Sequence, residues 1–234
     1  MSIYTIGDLH LSFGMNKPMD IFGVNWEDHY KKIENDWLSK VNDDDDLVVL
    51  PGDFSWAMDL DDTIEDFKYL SKLPGKKLLL KGNHDYWWGT LKKMKEFMEA
   101  NNFKDIDFIQ NNSFLFDDKI IVGTRGWIYD NKLENIKILK REKIRLEMSF
   151  SDAINKYGKN REIIVFMHYP PFGKENIPLE YDLKEVLKNY NVKKCFYGHL
   201  HGESCLEAIQ GEIENICYSL ISSDYLDFKL YKIY

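Results

Sequence analysis

This sequence has few cysteines, no long apolar run and fewer basic than acidic residues. Its 39 Asp and Glu residues outnumber its 31 Lys and Arg residues, which gives a formal net charge of −8 at pH 7. Proteins that coat nucleic acids need basic patches, so the charge argues against nucleic acid as a partner. No segment approaches the roughly 18 unbroken apolar residues of a transmembrane helix, and we therefore expect no membrane span.

Cysteine usage and the first residues both bear on location. The three cysteines, Cys195, Cys205 and Cys217, form no Cys-x-x-Cys pattern. An odd number of scattered cysteines favours reduced thiols over a disulfide framework, which predicts a cytoplasmic protein. The first residues carry neither the charged region nor the apolar segment of a signal peptide, so we expect them to form the first strand.

The composition is that of a globular protein. Hydrophobic residues make up 44% and aromatic residues 15% of the 234-residue chain, which excludes a disordered protein. This length fits one large α/β domain or at most two small ones, and we find no linker and no internal repeat. We therefore predict a single domain that spans residues 1–234.

Short apolar runs alternate with amphipathic helical stretches along the chain. Strands at residues 3–6, 47–50 and 78–80 are each followed by apolar residues at helical spacing, which predicts parallel strands with right-handed crossovers. Short strands over residues 108–122 and a polar helix over residues 132–157 come next. The alternation then resumes with strands at 163–167 and 194–197 and a helix between them. In the tail we expect antiparallel strands, at 216–221 and 228–231, that complete a second sheet.

Five of the six histidines lie in five short motifs, and each motif directly follows an apolar run. The carboxyl ends of strands in an α/β sheet meet at one edge, where ligands bind, so motifs far apart in sequence are expected to converge. Scattered histidines in an ordinary domain would not follow this pattern. The motifs are Asp8-Leu9-His10, Gly52-Asp53, Gly82-Asn83-His84-Asp85, Met167-His168 and Gly198-His199-Leu200-His201.

The side chains of these motifs are those of a metal site. Residues i and i+2 of a strand share a face, so Asp8 and His10 can bind one ion together. The two oxygens of Asp53 can bridge two ions. Mixed nitrogen and oxygen ligands suit Mn, Fe, Zn, Co or Ni better than Ca or Mg. Two such ions a few ångströms apart are a known means of hydrolysing phosphate esters.

In residues and in order, the five motifs resemble those of the calcineurin-like metallophosphoesterase superfamily, over residues 8–201. The resemblance implies a fold of class α/β: a four-layer α/β/β/α sandwich of two mixed β-sheets flanked by helices, with a dimetal site at the carboxyl ends of strands. It also implies a small bacterial-type phosphohydrolase. Such an enzyme cleaves a phosphomonoester or phosphodiester by direct attack of metal-bound hydroxide.

The resemblance further implies a role for each motif residue. His84 would donate a proton to the leaving group or stabilise its charge, and Asp85 would orient His84. Two divalent transition-metal ions would be the cofactors, and Mn is the ion we expect to support activity in vitro. The first ion would be held by Asp8, His10, Asp53 and His201, and the second by Asp53, Asn83, His168 and His199.

The sequence departs from the protein phosphatases of this superfamily, which carry an arginine shortly after the Gly-Asp motif and another after the Gly-Asn-His motif. No arginine follows Asp53 or Asp85 closely. This favours a small phosphorylated substrate over a phosphoprotein. Arg125, just after another predicted strand, could replace the missing phosphate-binding group. We favour a surface salt bridge for it.

Several alternatives stay open at this point. Trp56, Tyr86, Trp87 and Trp88 flank the motifs and either shape a substrate cleft or pack in the core. We assign His29 to an exposed helix position without a role. A nuclease is an alternative function, against which the net charge argues. A catalytically inactive metal-binding scaffold is another, against which the retained His84 argues. The natural substrate, monoesterase against diesterase activity and the oligomeric state are not determined by the sequence.

Overall fold

The computed structural model describes residues 1–15, 17–42, 45–130, 132–173 and 178–234. These residues divide into two compact units. The first unit comprises Met1–Phe108 and Ile221–Tyr234, and the second comprises Ile109–Leu220. Each unit is organised around one β-sheet, with five strands in the first and six in the second.

The described residues contain eleven strands and five α-helices. The strands are β1 (Ile3–Thr5), β2 (Leu47–Pro51), β3 (Lys76–Leu80), β4 (Ile106–Ile109), β5 (Phe114–Phe116), β6 (Lys119–Thr124), β7 (Ile163–Met167), β8 (Val192–Tyr197), β9 (Gly211–Ile213), β10 (Ile216–Leu220) and β11 (Tyr231–Lys232). The helices are α1 (His29–Lys40), α2 (Ile64–Lys72), α3 (Leu91–Ala100), α4 (Leu133–Tyr157) and α5 (Leu183–Lys188).

The first sheet has the strand order β11-β1-β2-β3-β4, and its three central strands are parallel, as predicted. Helices α1 to α3 pack on it because their apolar residues recur three or four positions apart. Ile33 and Trp37 of α1, with Phe67 of α2, join Val48 and Leu79 of the sheet in one buried core. This core holds the carboxyl ends of β1, β2 and β3 in fixed positions beside one another.

The second sheet has the order β5-β6-β7-β8-β10-β9, with antiparallel strands at both edges and parallel strands between them. Helix α4 packs Leu139, Leu146 and Phe150 into a second buried core. The predicted class is confirmed, since both sheets are mixed and flanked by helices in an α/β fold. None of the helices in the described part of the chain is both long and apolar enough to cross a bilayer.

The tail differs from the prediction of two antiparallel strands in the second sheet. Strand β10 does belong to that sheet, but it runs parallel to β8. Strand β11 instead pairs antiparallel with β1 at the edge of the first sheet. The chain returns to the first unit at Ile221, whose carbonyl accepts a hydrogen bond from the Gly7 N–H at 2.8 Å. A local apolar pattern identifies a strand without identifying its pairing partner.

The prediction that His29 occupies an exposed helix position is wrong. His29 is the first residue of α1 and is buried. Its ring nitrogens lie 3.1 Å from the Trp26 carbonyl and 3.0 Å from the Leu9 carbonyl. Burial lowers the pKa of this ring. His29 therefore supports the backbone of the first histidine motif through the carbonyl of Leu9.

Candidate metal centre

All five motifs follow strands in the structure, as the sequence predicts. In the first unit, Asp8, Asp53 and Asn83 lie beyond the carboxyl ends of β1, β2 and β3. Because these strands are parallel neighbours, the three motif loops lie side by side at one edge of the sheet. Backbone hydrogen bonds join the first two loops, from Asp8 N–H to the Gly52 carbonyl at 3.0 Å and from His10 N–H to the Asp53 carbonyl at 2.9 Å.

Three predicted ligands converge in the first unit. A carboxylate oxygen of Asp8 lies within 4.8 Å of a ring nitrogen of His10 and of a carboxylate oxygen of Asp53. His10 Nε2 lies 3.8 Å from Asp53 Oδ2, and all three residues are buried. Two carboxylates buried this close together repel each other unless a cation lies between them. The arrangement is therefore suited to a positive ion.

The backbone that presents these predicted ligands is not extended. Asp8, His10 and Asp53 have φ values of 58°, 47° and 51°. Residues other than glycine rarely adopt this left-handed backbone region, and those that do adopt it cluster at functional sites. We expected Asp8 and His10 to share a face because strand residues i and i+2 do so. The structure brings them together through left-handed turns instead.

The third loop lies directly against Asp53. The His84 backbone N–H donates to Asp53 Oδ1 at 2.7 Å. Gly82 has no room for a side chain, because a Cβ there would overlap the backbone nitrogen and the carboxylate of Asp53. The glycine of this motif therefore allows the close approach that places Asn83 and His84 next to Asp53.

Asp85 organises the backbone of two motif loops. Its buried carboxylate accepts N–H bonds from Gly82 at 2.7 Å and from Asp53 and Phe54 at 2.9 Å each. The indole N–H of Trp87 also donates to it, at 3.1 Å. Charge-assisted bonds of this kind are stronger than bonds between neutral groups. The orientation of His84 by Asp85 stays a prediction, and the structure adds this role for Asp85 in holding the loops.

The aromatic residues beside the motifs divide between the site and the core. Trp56 stacks on His10, with ring centroids 4.8 Å apart and planes at 22°, and lies 4.4 Å from the His84 ring. Trp87 is buried against Phe54 and Phe67 in the core of the first unit. Trp88 packs against the same core, and Tyr86 is 56% exposed. Trp56 therefore lies between the core and the site, where its ring contacts both His10 and His84.

In the second unit, the remaining three histidines lie at neighbouring strand ends. His168 follows β7, and His199 and His201 follow β8, which is parallel to β7. The rings of His168 and His199 are 5.1 Å apart and nearly perpendicular, at 71°. The Gly198 N–H donates to the His168 carbonyl at 3.0 Å and holds the two loops together. His201 precedes a 3-10 helix, Gly202–Glu207, and its N–H donates to Ser204 Oγ at 2.9 Å.

Arg125 supports the loop that carries His168. Its carbonyl accepts the N–H bonds of His168 at 3.2 Å and of Tyr169 at 2.8 Å. Its guanidinium lies 3.5 Å from the carboxylate of Glu142 and 4.5 Å from the Trp127 ring centroid. Glu142 is buried, so the favoured salt bridge exists but is internal rather than on the surface. Burial lowers the pKa of Arg125.

Asp66 is a supporting residue that the sequence did not reveal. It lies on α2, is fully buried, and accepts hydrogen bonds from the Ser55 hydroxyl and from the Phe13 N–H at 2.9 Å. It thereby links the loops after His10 and Asp53 to the helix. The available signal was an acid on the apolar face of α2, beside Phe67 and Leu70. Burial raises the pKa of Asp66 to about 6.

The free energy of unfolding of the protein should depend on pH through the titration of Asp66. Its pKa lies above the ordinary value of 3.8, so its contribution is fully present below about pH 4 and is lost as the pH rises through about 6. At about 1.4 kcal/mol per pKa unit, the loss is on the order of 2–3 kcal/mol. Asp66→Asn should therefore gain free energy of unfolding relative to the wild type between pH 4.5 and pH 7, as measured by urea unfolding. The same gain in Asp61→Asn, which alters an exposed acid shortly before the helix, would contradict the assignment.

Known proteins match this chain in sequence family and in fold. A family described as calcineurin-like phosphoesterase matches residues 1–203, which include every predicted site residue. Among curated proteins, none matches the chain in sequence.

Solved structures share the fold at low sequence identity. A protein of unknown function from Aquifex aeolicus is 19% identical, with a TM-score of 0.52 over 99% of this chain and 95% of that one. A phosphopantetheinyl hydrolase from Mycobacterium tuberculosis is 12% identical, with a TM-score of 0.57 and coverage of 99% and 95%. A Thermus thermophilus protein is 13% identical, with a TM-score of 0.58 and coverage of 98% and 96%.

Proposed function

Because the chain belongs to the calcineurin-like phosphoesterase family, we propose that it hydrolyses a small phosphomonoester or phosphodiester with two bound divalent metal ions. The family consists of phosphoester hydrolases that bind two such ions. The observation that carries the proposal is the buried convergence of Asp8, His10 and Asp53 in the first unit. Two buried carboxylates and an imidazole at such distances are costly to bury without a bound cation, so few other roles explain the arrangement.

The residues present fit a dinuclear centre by their chemistry. They offer carboxylate, amide and imidazole donors, which suit transition metals such as Mn, Fe, Zn, Co or Ni. We propose that the two units form one catalytic domain over residues 1–234. The first ion would be held by Asp8, His10, Asp53 and His201, and the second by Asp53, Asn83, His168 and His199. Once bound, the ions would lower the pKa of a water molecule and so supply a nucleophile near neutral pH.

The chain's own residues would complete the reaction. As the water oxygen bonds to phosphorus, the bond from phosphorus to the alcohol oxygen breaks in line with it. His84 gives its proton to that leaving oxygen and prevents the build-up of an alkoxide. The backbone bond from His84 to Asp53 holds the ring's loop in place, and Trp56 packs against the ring and keeps water from that side.

The cellular setting is also part of the proposal. All three cysteines carry thiols, and Cys195 is buried in the second unit. Cysteines that carry free thiols are typical of cytoplasmic proteins. The net charge of −8 supports a small substrate rather than nucleic acid.

Hydrolysis of two chromogenic esters tests the proposal. The metal-free protein should be inactive on p-nitrophenyl phosphate and bis-p-nitrophenyl phosphate, and Mn should restore turnover of at least one of them. Co, Ni, Zn and Mg are compared in parallel, and we expect Mg to be the weakest activator. Turnover that persists after chelation would contradict a metal-dependent reaction. Inactivity with every metal would favour the scaffold, and cleavage of single-stranded DNA that falls steeply with salt would favour the nuclease.

A further inference from the structure

The second unit contains a mainly apolar cavity of about 540 Å³ with one predicted metal ligand, His199, in its wall. Aromatic and aliphatic side chains form most of its wall. Among the described lining residues, Glu207 carries the one formal charge. The principal wall residues are Trp127, Ile128, Tyr129, Tyr169, Phe172 and Ile209.

The polar atoms of two wall residues are already engaged elsewhere. The Trp127 indole N–H donates to Asn135 Oδ1 at 2.8 Å. The Tyr129 hydroxyl donates to Asp182 at 3.4 Å and accepts the Leu183 N–H at 2.9 Å. These bonds fix both rings and leave their carbon surfaces to line the cavity. A preorganised apolar wall binds apolar groups, because it loses little conformational freedom when it is occupied.

The cavity is continuous with the histidines of the second unit. His199 is itself part of the wall. The Tyr169 ring, also in the wall, lies 4.1 Å from the His199 ring and 5.3 Å from the His168 ring. A group held in the cavity would therefore be adjacent to two of the proposed metal ligands.

We propose that this cavity binds the organic group that is esterified to the substrate's phosphate, and that this group is aromatic or hydrocarbon rather than a sugar. The inference rests on the proposed function for the position of the phosphate beside His199. A hydroxyl-rich group would lose its hydrogen bonds to water against walls that are mostly aromatic and aliphatic, and that loss is costly. An aromatic ring would instead contact the faces of Trp127, Tyr169 and Phe172.

Phosphodiesters with one leaving group and different second groups test the proposal. We compare methyl, phenyl and 1-naphthyl p-nitrophenyl phosphates, so the bond that breaks is the same in all three. The wild type should hydrolyse the naphthyl diester with a kcat/KM at least tenfold above that of the methyl diester, about the gain expected from burying one ring. Equal values for the three diesters would overturn the proposal.

Variants locate the effect in the cavity. Ile128 and Ile209 are 45% and 42% exposed, so serine at both positions should leave the fold intact while removing apolar wall. The double variant should lower the naphthyl-to-methyl ratio of kcat/KM about fivefold to tenfold. Leu206→Ser is the matched control, because Leu206 is 89% exposed and lies outside the wall. A ratio that falls equally in the control would contradict the assignment.

A binding measurement separates this proposal from the proposed function. Titration of the metal-free protein with 1-naphthol, followed by its fluorescence, requires no hydrolysis. The wild type and Leu206→Ser should bind equally, and the Ile128→Ser/Ile209→Ser variant about fivefold to tenfold more weakly. If this difference appears in a protein that hydrolyses no ester, the cavity assignment stands and the enzyme assignment fails. If no difference appears, the cavity assignment fails whatever the enzyme activity.

Discussion

His84→Ala is expected to lower kcat by about 100-fold to 10,000-fold, the range that general acid catalysis supplies, while the protein keeps both metal ions. The physical reason is that the motif residues have different proposed roles. Asp8, His10 and Asp53 converge as the proposed ligands, whereas His84 is attached to Asp53 through its backbone N–H and presents its ring beside Trp56. Removing the ring leaves the backbone bond in place, so the geometry of Asp53 should persist.

The leaving group distinguishes a proton donor from a merely structural side chain. An alkyl leaving group is strongly basic and needs the proton, whereas p-nitrophenolate leaves readily without it. His84→Ala should therefore be impaired much more on an alkyl phosphoester than on a p-nitrophenyl ester. Tyr86→Phe, an exposed neighbour in the same loop, serves as the control and should retain wild-type kcat on both. Equal losses on both esters, accompanied by loss of metal, would place His84 among the ligands instead.

Asp53→Asn should abolish binding of both ions and reduce hydrolysis to the rate of the metal-free protein. In the proposed centre Asp53 is the one residue shared by both ions, and its carboxylate lies within reach of Asp8 and His10. An amide keeps the size of the side chain and an oxygen that can accept the His84 N–H. It removes the negative charge and one ligand oxygen, so the effect should fall on the metal and spare the fold.

Metal analysis of the purified variant measures this directly. The wild type should contain two equivalents of Mn after equilibration, and Asp53→Asn should contain none after the same treatment. Circular dichroism should show the same fold in both proteins. Tyr86→Phe again provides the control, with unchanged metal content. Two equivalents of Mn in Asp53→Asn would rule out a bridging role for this carboxylate.

The periodic parts of the fold were predictable from sequence, and the tertiary contacts were not. Strand β7 and helices α1 to α3 follow local apolar patterns, and the motifs follow strand ends because parallel strands terminate at one edge. The pairing of β11 with β1 joins residues at opposite ends of the chain, which no local pattern encodes. The buried position of His29 was likewise not predictable from a local pattern, because its ring contacts the carbonyl of Leu9, which lies 20 positions away.

The same distinction applies to the site. The identities of Asp8, His10 and Asp53 were readable as motif residues, but their left-handed backbone was not, because it results from the hydrogen bonds between neighbouring loops. Asp85 was predicted for its place beside His84, and its bonds to Gly82, Asp53 and Phe54 emerge only when two distant loops meet. Asp66 carries no motif at all. Its hydrogen bonds to the two loops depend on its buried position on α2, which only the folded structure shows.

Anomalous diffraction from crystals grown with Mn would test the central claim most directly. Two peaks should appear about 3.5–4 Å apart, the usual separation in two-metal sites. The Asp53 carboxylate should lie between them, one peak should contact Asp8 and His10, and the other should contact Asn83 and His168. A single peak, or two peaks that do not share Asp53, would contradict the dinuclear centre and the phosphoester chemistry that depends on it.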